Sequence, residues 1–257
     1  LLDGADGIEC DIRLTADGVP VCWHDATVDR TSDGSGAVHE HTIDELRRLD
    51  VLRGARPPSG ALWDGPPVVT LAELLALVGS VDRPVTLAIE LKHPVGYGWQ
   101  AEDAVLEVLH GSGWRAGDAG GPRISLMSFH PRSLVHLHRS VPAEHLMPLI
   151  DVGALEVLAQ DILDGPPGEV AALVAESLAL ADAAAVGGVG PSLAFLREHP
   201  DRVAAWRESG VRVRVWTVDE PPDLELCLRA GVDEVTTNRP AEVLRALAAV
   251  PGPSSAP

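Results

Sequence analysis

At 257 residues, with 46% hydrophobic side chains, the chain could hold one large domain or two small ones, and α/β barrels routinely occupy this length as a single domain. A formal charge of −18 argues against a nucleic-acid groove or an anionic membrane surface, and an anionic ligand would need locally placed cations. No apolar run reaches the roughly 18 residues of a membrane span, and Cys10, Cys22 and Cys227 have no metal-type spacing.

The chain opens on Leu1 rather than Met, and no signal peptide is visible. The cytoplasm is the expected compartment, although an upstream portion bearing on it would lie outside this sequence.

The first predicted element is a hairpin. Gly7 to Leu14 and Val19 to Trp23 are β-like runs around Asp17-Gly18, a strong turn signal. Alternation puts Glu9 and Asp11 on one strand face, with Ile8, Cys10 and Ile12 on the other. A two-residue loop sets His24 opposite Asp11, and a four-residue loop sets it opposite Glu9. Both registers bring the imidazole to the carboxylate face; a three-residue loop would turn it away. In the first two registers Cys22 shares the face of His24 and Cys10 points the other way, so the cysteines read as small core residues rather than a disulfide. Two acids and a histidine on one surface can hold a divalent cation beside a proton-transfer group, or form an ordinary solvated strand face.

Asp25 to His41 is a polar loop rich in turn formers. Thr42 with Glu45, and Thr70 with Glu73, form capping boxes that open a short helix and a helix over 71–78, separated by a loop over 57–67. Strands are expected at 85–92, 124–129, 145–150, 183–186, 211–218 and 232–237. Helices are expected at 100–110, after Pro131, within 154–180, between 192 and 209, and at 224–229 and 242–249. The alternation implies a parallel sheet with helical crossovers. With the strand near residue 8 the parallel count is seven, because the strand at 19–23 is antiparallel to its predecessor. The expected fold is therefore a (β/α)8 TIM barrel whose first strand and most of whose first helix precede Leu1, in one domain over 1–249 with a frayed tail at 250–257.

In such a barrel the active site lies at the C-terminal strand ends. Those ends carry Glu9 and Asp11, Glu90 and Lys92, Ser128 and His130, Asp151, Trp216, then Asn238 and Arg239. Glu9, Asp11 and Glu90 would make an all-oxygen site, better suited to Mg2+ or Ca2+ than to zinc. Lys92 is the sole lysine of the chain, which suggests a compact ammonium donor inside an acidic cluster; its plainer role is charge partner to Glu90. His130 reads as a helix N-terminal histidine or a substrate contact, and Trp216 as core or as a pocket wall.

These residues resemble glycerophosphodiester phosphodiesterases. The resemblance rests on the run from Gly7-Ile8-Glu9-Cys10-Asp11 through Asp17-Gly18 to His24-Asp25, on Asp29-Arg30-Thr31, on the helix start at Thr70, and on Ile89-Glu90-Leu91-Lys92. It continues through Ser128-Phe129, Val215-Trp216-Thr217-Val218, Gly231-Val232-Asp233 and Arg239-Pro240, so it runs nearly end to end. It implies a phospholipase C-like phosphodiesterase barrel that hydrolyses glycerophosphodiesters to an alcohol and glycerol 3-phosphate. Glu9, Asp11 and Glu90 would be the metal ligands, His24 one of a catalytic pair, and Lys92 a phosphate or charge-stabilising contact. Small phosphodiesters would be the partners, with Ser128, His130 and Trp216 on the substrate side.

Three departures matter. The family's opening His-Arg-Gly strand, with its second histidine and an arginine, is expected upstream of Leu1. Asn238 stands where Asp is common, and Gly187-Gly188 replaces the usual Asn-Pro. The expectation is that this chain binds metal but hydrolyses poorly, and that an upstream extension restores activity. Two rival readings are a non-catalytic metal- and phosphate-binding barrel and a Schiff-base lyase using Lys92.

Overall fold

The computed structural model describes residues 1, 3–51, 65–92, 98–116, 122–151 and 167–249. The expected helical stretch at 154–166, most of the 57–67 loop, and the 250–257 tail lie outside those residues. Strands are β1 (Gly7–Leu14), β2 (Pro20–Cys22), β3 (Thr86–Leu91), β4 (Arg123–Ser128), β5 (Leu146–Ile150), β6 (Gly188–Pro191), β7 (Arg212–Val215) and β8 (Glu234–Val235). They form one sheet in the order β2-β1-β3-β4-β5-β6-β7-β8, parallel throughout except for the β1–β2 hairpin. That is the expected count of parallel strands plus the antiparallel one.

Helices begin where capping chemistry allows. Thr42 and Thr70 accept from the N–H groups of Glu45 and Glu73, whose carboxylates bond back to the two threonines' own N–H groups. These boxes open α1 (Ile43–Leu46) and α2 (Leu71–Gly79). Next come α3 (Gln100–Gly111) and α4 (Pro131–Leu137), the latter with proline in its first turn, where the missing N–H costs nothing. After them lie α5 (Pro167–Asp182), α6 (Leu193–Glu198), α7 (Pro200–Glu208), α8 (Pro221–Ala230) and α9 (Pro240–Ala249).

Leu87, Ile89 and Leu91 of β3 and Ile124 and Leu126 of β4 pack outward against Leu71, Leu75, Val105 and Leu109 of α2 and α3. A second cluster joins Val213 and Val215 of β7 to Phe195, Leu196, Val203 and Trp206. The opposite sheet face holds a small interior cluster of Ala88, Met127, Met147 and Leu149, with Phe129 and Trp216. The sheet is rolled about it. In a flat sheet β7 lies three strand spacings from β4, roughly 14 Å. Yet Arg214 on β7 donates to Ser125 Oγ on β4 at 3.1 Å. This is an α/β architecture of TIM-barrel type.

Two expectations are corrected. The hairpin pairs Ile12 with Cys22, Arg13 with Val21 and Leu14 with Pro20, which leaves the three-residue loop Ala16–Gly18. The cause is local. Gly18 N–H donates to the Thr15 carbonyl at 3.0 Å with Gly18 at φ +78°, a turn followed by a left-handed residue. Thr15 Oγ1 locks it by donating to Asp17 Oδ1 at 2.7 Å and accepting from Val19 N–H at 2.9 Å. This even register puts Cys10 and Cys22 on the same face, contrary to the sequence reading, and both remain free thiols outside any disulfide.

The second correction concerns 183–186, which is not strand; β6 is built from Gly188–Pro191 instead. A Cβ on Gly187 would meet Glu144 Cα at 2.3 Å, and one on Gly190 would meet Leu149 Cδ2 at 2.5 Å, so glycine lets this strand approach β5.

Candidate active site

β1 and β3 run parallel with Asp11 level with Glu90 and Glu9 level with Ala88. The pleat therefore turns Glu9, Asp11 and Glu90 to the same side, while Cys10, Ile12, Ile89 and Leu91 enter the outer core. The three carboxylates each offer an oxygen within 4.8 Å of the others. Lys92 closes the group: its Nζ lies 2.6 Å from Glu90 Oε1 and 3.0 Å from Asp11 Oδ1, and the side chain is 3% exposed.

Burial, with the nearby Asp11 and Glu90 carboxylates, pushes Glu9 up to about 8, while Lys92 and Arg214 pull it back. Burial likewise raises Glu90, to about 7; Lys92 opposes this and Asp11 adds to it. Burial disfavours the Lys92 ammonium, yet Glu90 and Asp11 outweigh it and hold its pKa above the ordinary lysine value. One ammonium cannot neutralise three crowded carboxylates, so Glu9 and Glu90 hold their protons to higher pH. The all-oxygen donor set fits a hard divalent cation.

His24 stands apart from this cluster. Its ring is 61% exposed, with Nδ1 2.8 Å from Asp25 Oδ1. Arg30 grips the same carboxylate with Nε at 2.5 Å and Nη2 at 2.9 Å, and that grip, more than His24 itself, holds Asp25 down at about 2. A carboxylate so held stays ionised and accepts a hydrogen bond from Nδ1–H, which leaves Nε2 for proton transfer. The observed register is the one that does not bring His24 to the carboxylate face through the ladder.

The other expected residues divide in two. Ser128 is buried, donates to the Leu91 carbonyl at 3.0 Å and accepts from His130 N–H at 3.1 Å, so its hydroxyl braces the turn that carries His130. His130 is half-buried, with its ring edge-on to Trp99, centroids 6.2 Å apart. Trp216 Nε1 donates to the Gly190 carbonyl at 2.8 Å and its ring meets Phe129 edge-on at 5.6 Å, which makes an aromatic wall over the interior cluster. Asp151 accepts from Ser192, and Asn238 donates through both its backbone and side-chain nitrogens to Asp219, so neither is idle.

Sequence reading passed over Arg214. It is 5% exposed on β7, donates to Glu234 Oε2 at 2.7 Å and to Ser125 Oγ, and its charge acts on Glu9 across the interior. An arginine alternating with valines in Arg212–Val215 was the available signal, since a charged side chain there must either reach solvent or cross the core.

The model of the Glycerophosphoryl diester phosphodiesterase family matches residues 1–242. A Mycobacterium tuberculosis protein named "Probable glycerophosphodiester phosphodiesterase 1" is 36% identical over 245 residues, 93% of this chain and 81% of that protein. A glycerophosphodiester phosphodiesterase from Caldanaerobacter subterraneus is 29% identical over 241 residues, 94% of this chain and 85% of its own length. The solved Oleispira antarctica phosphodiesterase, in complex with the product sn-glycerol-3-phosphate, is similar at a TM-score of 0.65 and 20% identity, over 96% of this chain and 87% of that one.

Proposed function

The chain belongs to the glycerophosphoryl diester phosphodiesterase family, and from that premise we propose that it hydrolyses glycerophosphodiesters to an alcohol and glycerol 3-phosphate. Glu9, Asp11 and Glu90 would hold a divalent cation, Mg2+ or Ca2+, for which their crowded oxygens are the main support. The cation supplies fixed positive charge at the phosphoryl oxygens when bound.

The chain's own residues do the rest. Lys92 keeps Glu90 and Asp11 aligned through its two ion pairs and adds an ammonium to the anion-binding surface. Hydrolysis forms a P–O bond to the attacking oxygen and breaks the ester P–O bond to the alcohol. One proton must leave the attacking group and one must reach the departing oxygen. His24 Nε2 carries one of these transfers, with Asp25 fixing the tautomer, a role worth roughly 10²–10⁴ in rate. His130, with Trp99 beside it, and Trp216 would line the substrate side of the site.

Product analysis by 31P NMR tests this directly, on glycerophosphocholine, glycerophosphoethanolamine and glycerophosphoglycerol. Glycerol 3-phosphate should form from at least one of them in the presence of Mg2+ or Ca2+. Release of phosphocholine or phosphoethanolamine instead would place the cut on the wrong side of phosphorus and refute the assignment.

A further inference from the structure

Left to the hairpin ladder, His24 would face away from the carboxylates. With Ile12 opposite Cys22, the next non-hydrogen-bonded pair sets His24 opposite Cys10, on the face that packs into the outer core. β2 stops at Cys22, and the last cross-strand bond observed is Trp23 N–H to the Asp11 carbonyl at 2.9 Å. Beyond it the chain must be redirected by something else.

Arg13 supplies that contact. It lies two residues past Asp11 on β1, so its side chain leaves the strand on the face of Glu9 and Asp11. It is 5% exposed, and its Nε donates to the His24 carbonyl at 3.0 Å. A guanidinium buried this far costs desolvation and holds its place through directed bonds from a planar, rigid fork. His24 is thus gripped twice: at its carbonyl by Arg13 and at its ring by Asp25, which Arg30 holds in turn.

We propose that Arg13 is a positioning residue. By holding the His24 carbonyl it sets the direction in which the chain leaves the hairpin, and so where the imidazole stands relative to Glu9, Asp11 and Glu90. This rests on the proton-transfer role proposed above for His24.

The test uses Arg13→Met, Arg13→Gln, His24→Ala and the double variant Arg13→Met with His24→Ala. Glutamine is chosen because its side-chain nitrogen falls where Arg Nε sits, three carbons out from the backbone, so it keeps the donor and loses the charge. Arg13→Met should lower kcat about 10- to 100-fold through misplacement of His24. KM and the Mg2+ dissociation constant from calorimetry should stay within about twofold, and Arg13→Gln should recover most of the loss. In the His24→Ala background, Arg13→Met should cost nothing further, because it acts through that residue. NMR of the His24 ring gives a second readout: its resonances should move in Arg13→Met and return in Arg13→Gln.

Wild-type kcat with unmoved His24 signals in Arg13→Met overturns the proposal, as does a kcat loss that persists undiminished in the His24→Ala background. If Arg13→Met does not fold, a folded Arg13→Gln with displaced His24 signals and low kcat does the same. Wild-type turnover in His24→Ala removes the role of His24 itself, and this inference with it. An impaired His24→Ala beside a fully active Arg13→Met removes this inference alone.

Discussion

Glu9 carries the clearest pH signature of the site. Burial and its neighbours raise its folded-state pKa to about 8 from an ordinary 4.5, so the folded protein keeps a proton that the unfolded chain has released. Without a bound cation, this contribution to stability is fully present below the ordinary value and falls as pH rises through about 8. Glu9→Gln removes the titration, and with it the cost of burying the ionised carboxylate at high pH. In EDTA the melting temperature of Glu9→Gln should exceed that of the wild type at about pH 8, with the gap shrinking towards pH 5. Mg2+ should narrow the gap at high pH, because only the wild type retains all three carboxylates. A gap independent of pH would contradict the electrostatic picture of the cluster.

Elements show where sequence reasoning carries and where it stops. The carboxylate set was legible because it needs only a period of two and the rule that strand ends face the barrel mouth: Glu9 with Asp11, then Glu90 with Lys92. The capped helices were legible because their signal is local: Thr42 with Glu45 and Thr70 with Glu73 are contacts within four residues. The hairpin register was not. It depends on whether Thr15 joins the ladder or the loop, and that is settled by the hydroxyl's bonds to Asp17 and Val19 together with the φ of Gly18. Nor was β6, whose glycines resemble a loop until their neighbours are known. Gly187 backs onto main-chain atoms of Glu144, whereas Gly188 faces the terminal methyl of the Met147 side chain, which can change rotamer. Gly187→Ala should therefore destabilise by about 1–3 kcal/mol or more, and Gly188→Ala by distinctly less, measured by urea titration. Equal costs would mean that β6 does not sit against its neighbours as described.

At the scale of the whole molecule, a formal charge of −18 surrounds the site proposed here to take a phosphodiester. Long-range repulsion slows an anionic substrate and is screened by salt, whereas a zwitterion feels little of it. We expect kcat/KM for glycerophosphoglycerol to rise between about 10 and 150 mM salt, where the Debye length falls from roughly 30 to 8 Å. The value for glycerophosphocholine should stay nearly flat. Parallel salt profiles for the two would show that local cations, Lys92 and the proposed divalent ion, set the field alone. The rolled sheet ties this field to the fold: Arg214, reaching from β7 to β4, brings a buried positive charge to the interior on which Glu9 also depends.

On the proposed mechanism, Glu9, Asp11 and Glu90 hold the divalent cation that makes phosphodiester hydrolysis possible. The most direct test is turnover of a glycerophosphodiester by chelator-treated protein titrated with Mg2+ or Ca2+, run beside Glu90→Gln. Glycerol 3-phosphate should appear only as cation is restored, and Glu90→Gln should fall by at least about 10²-fold, with the cation requirement moved to higher concentration. Full turnover after chelation, undiminished in Glu90→Gln, would contradict it.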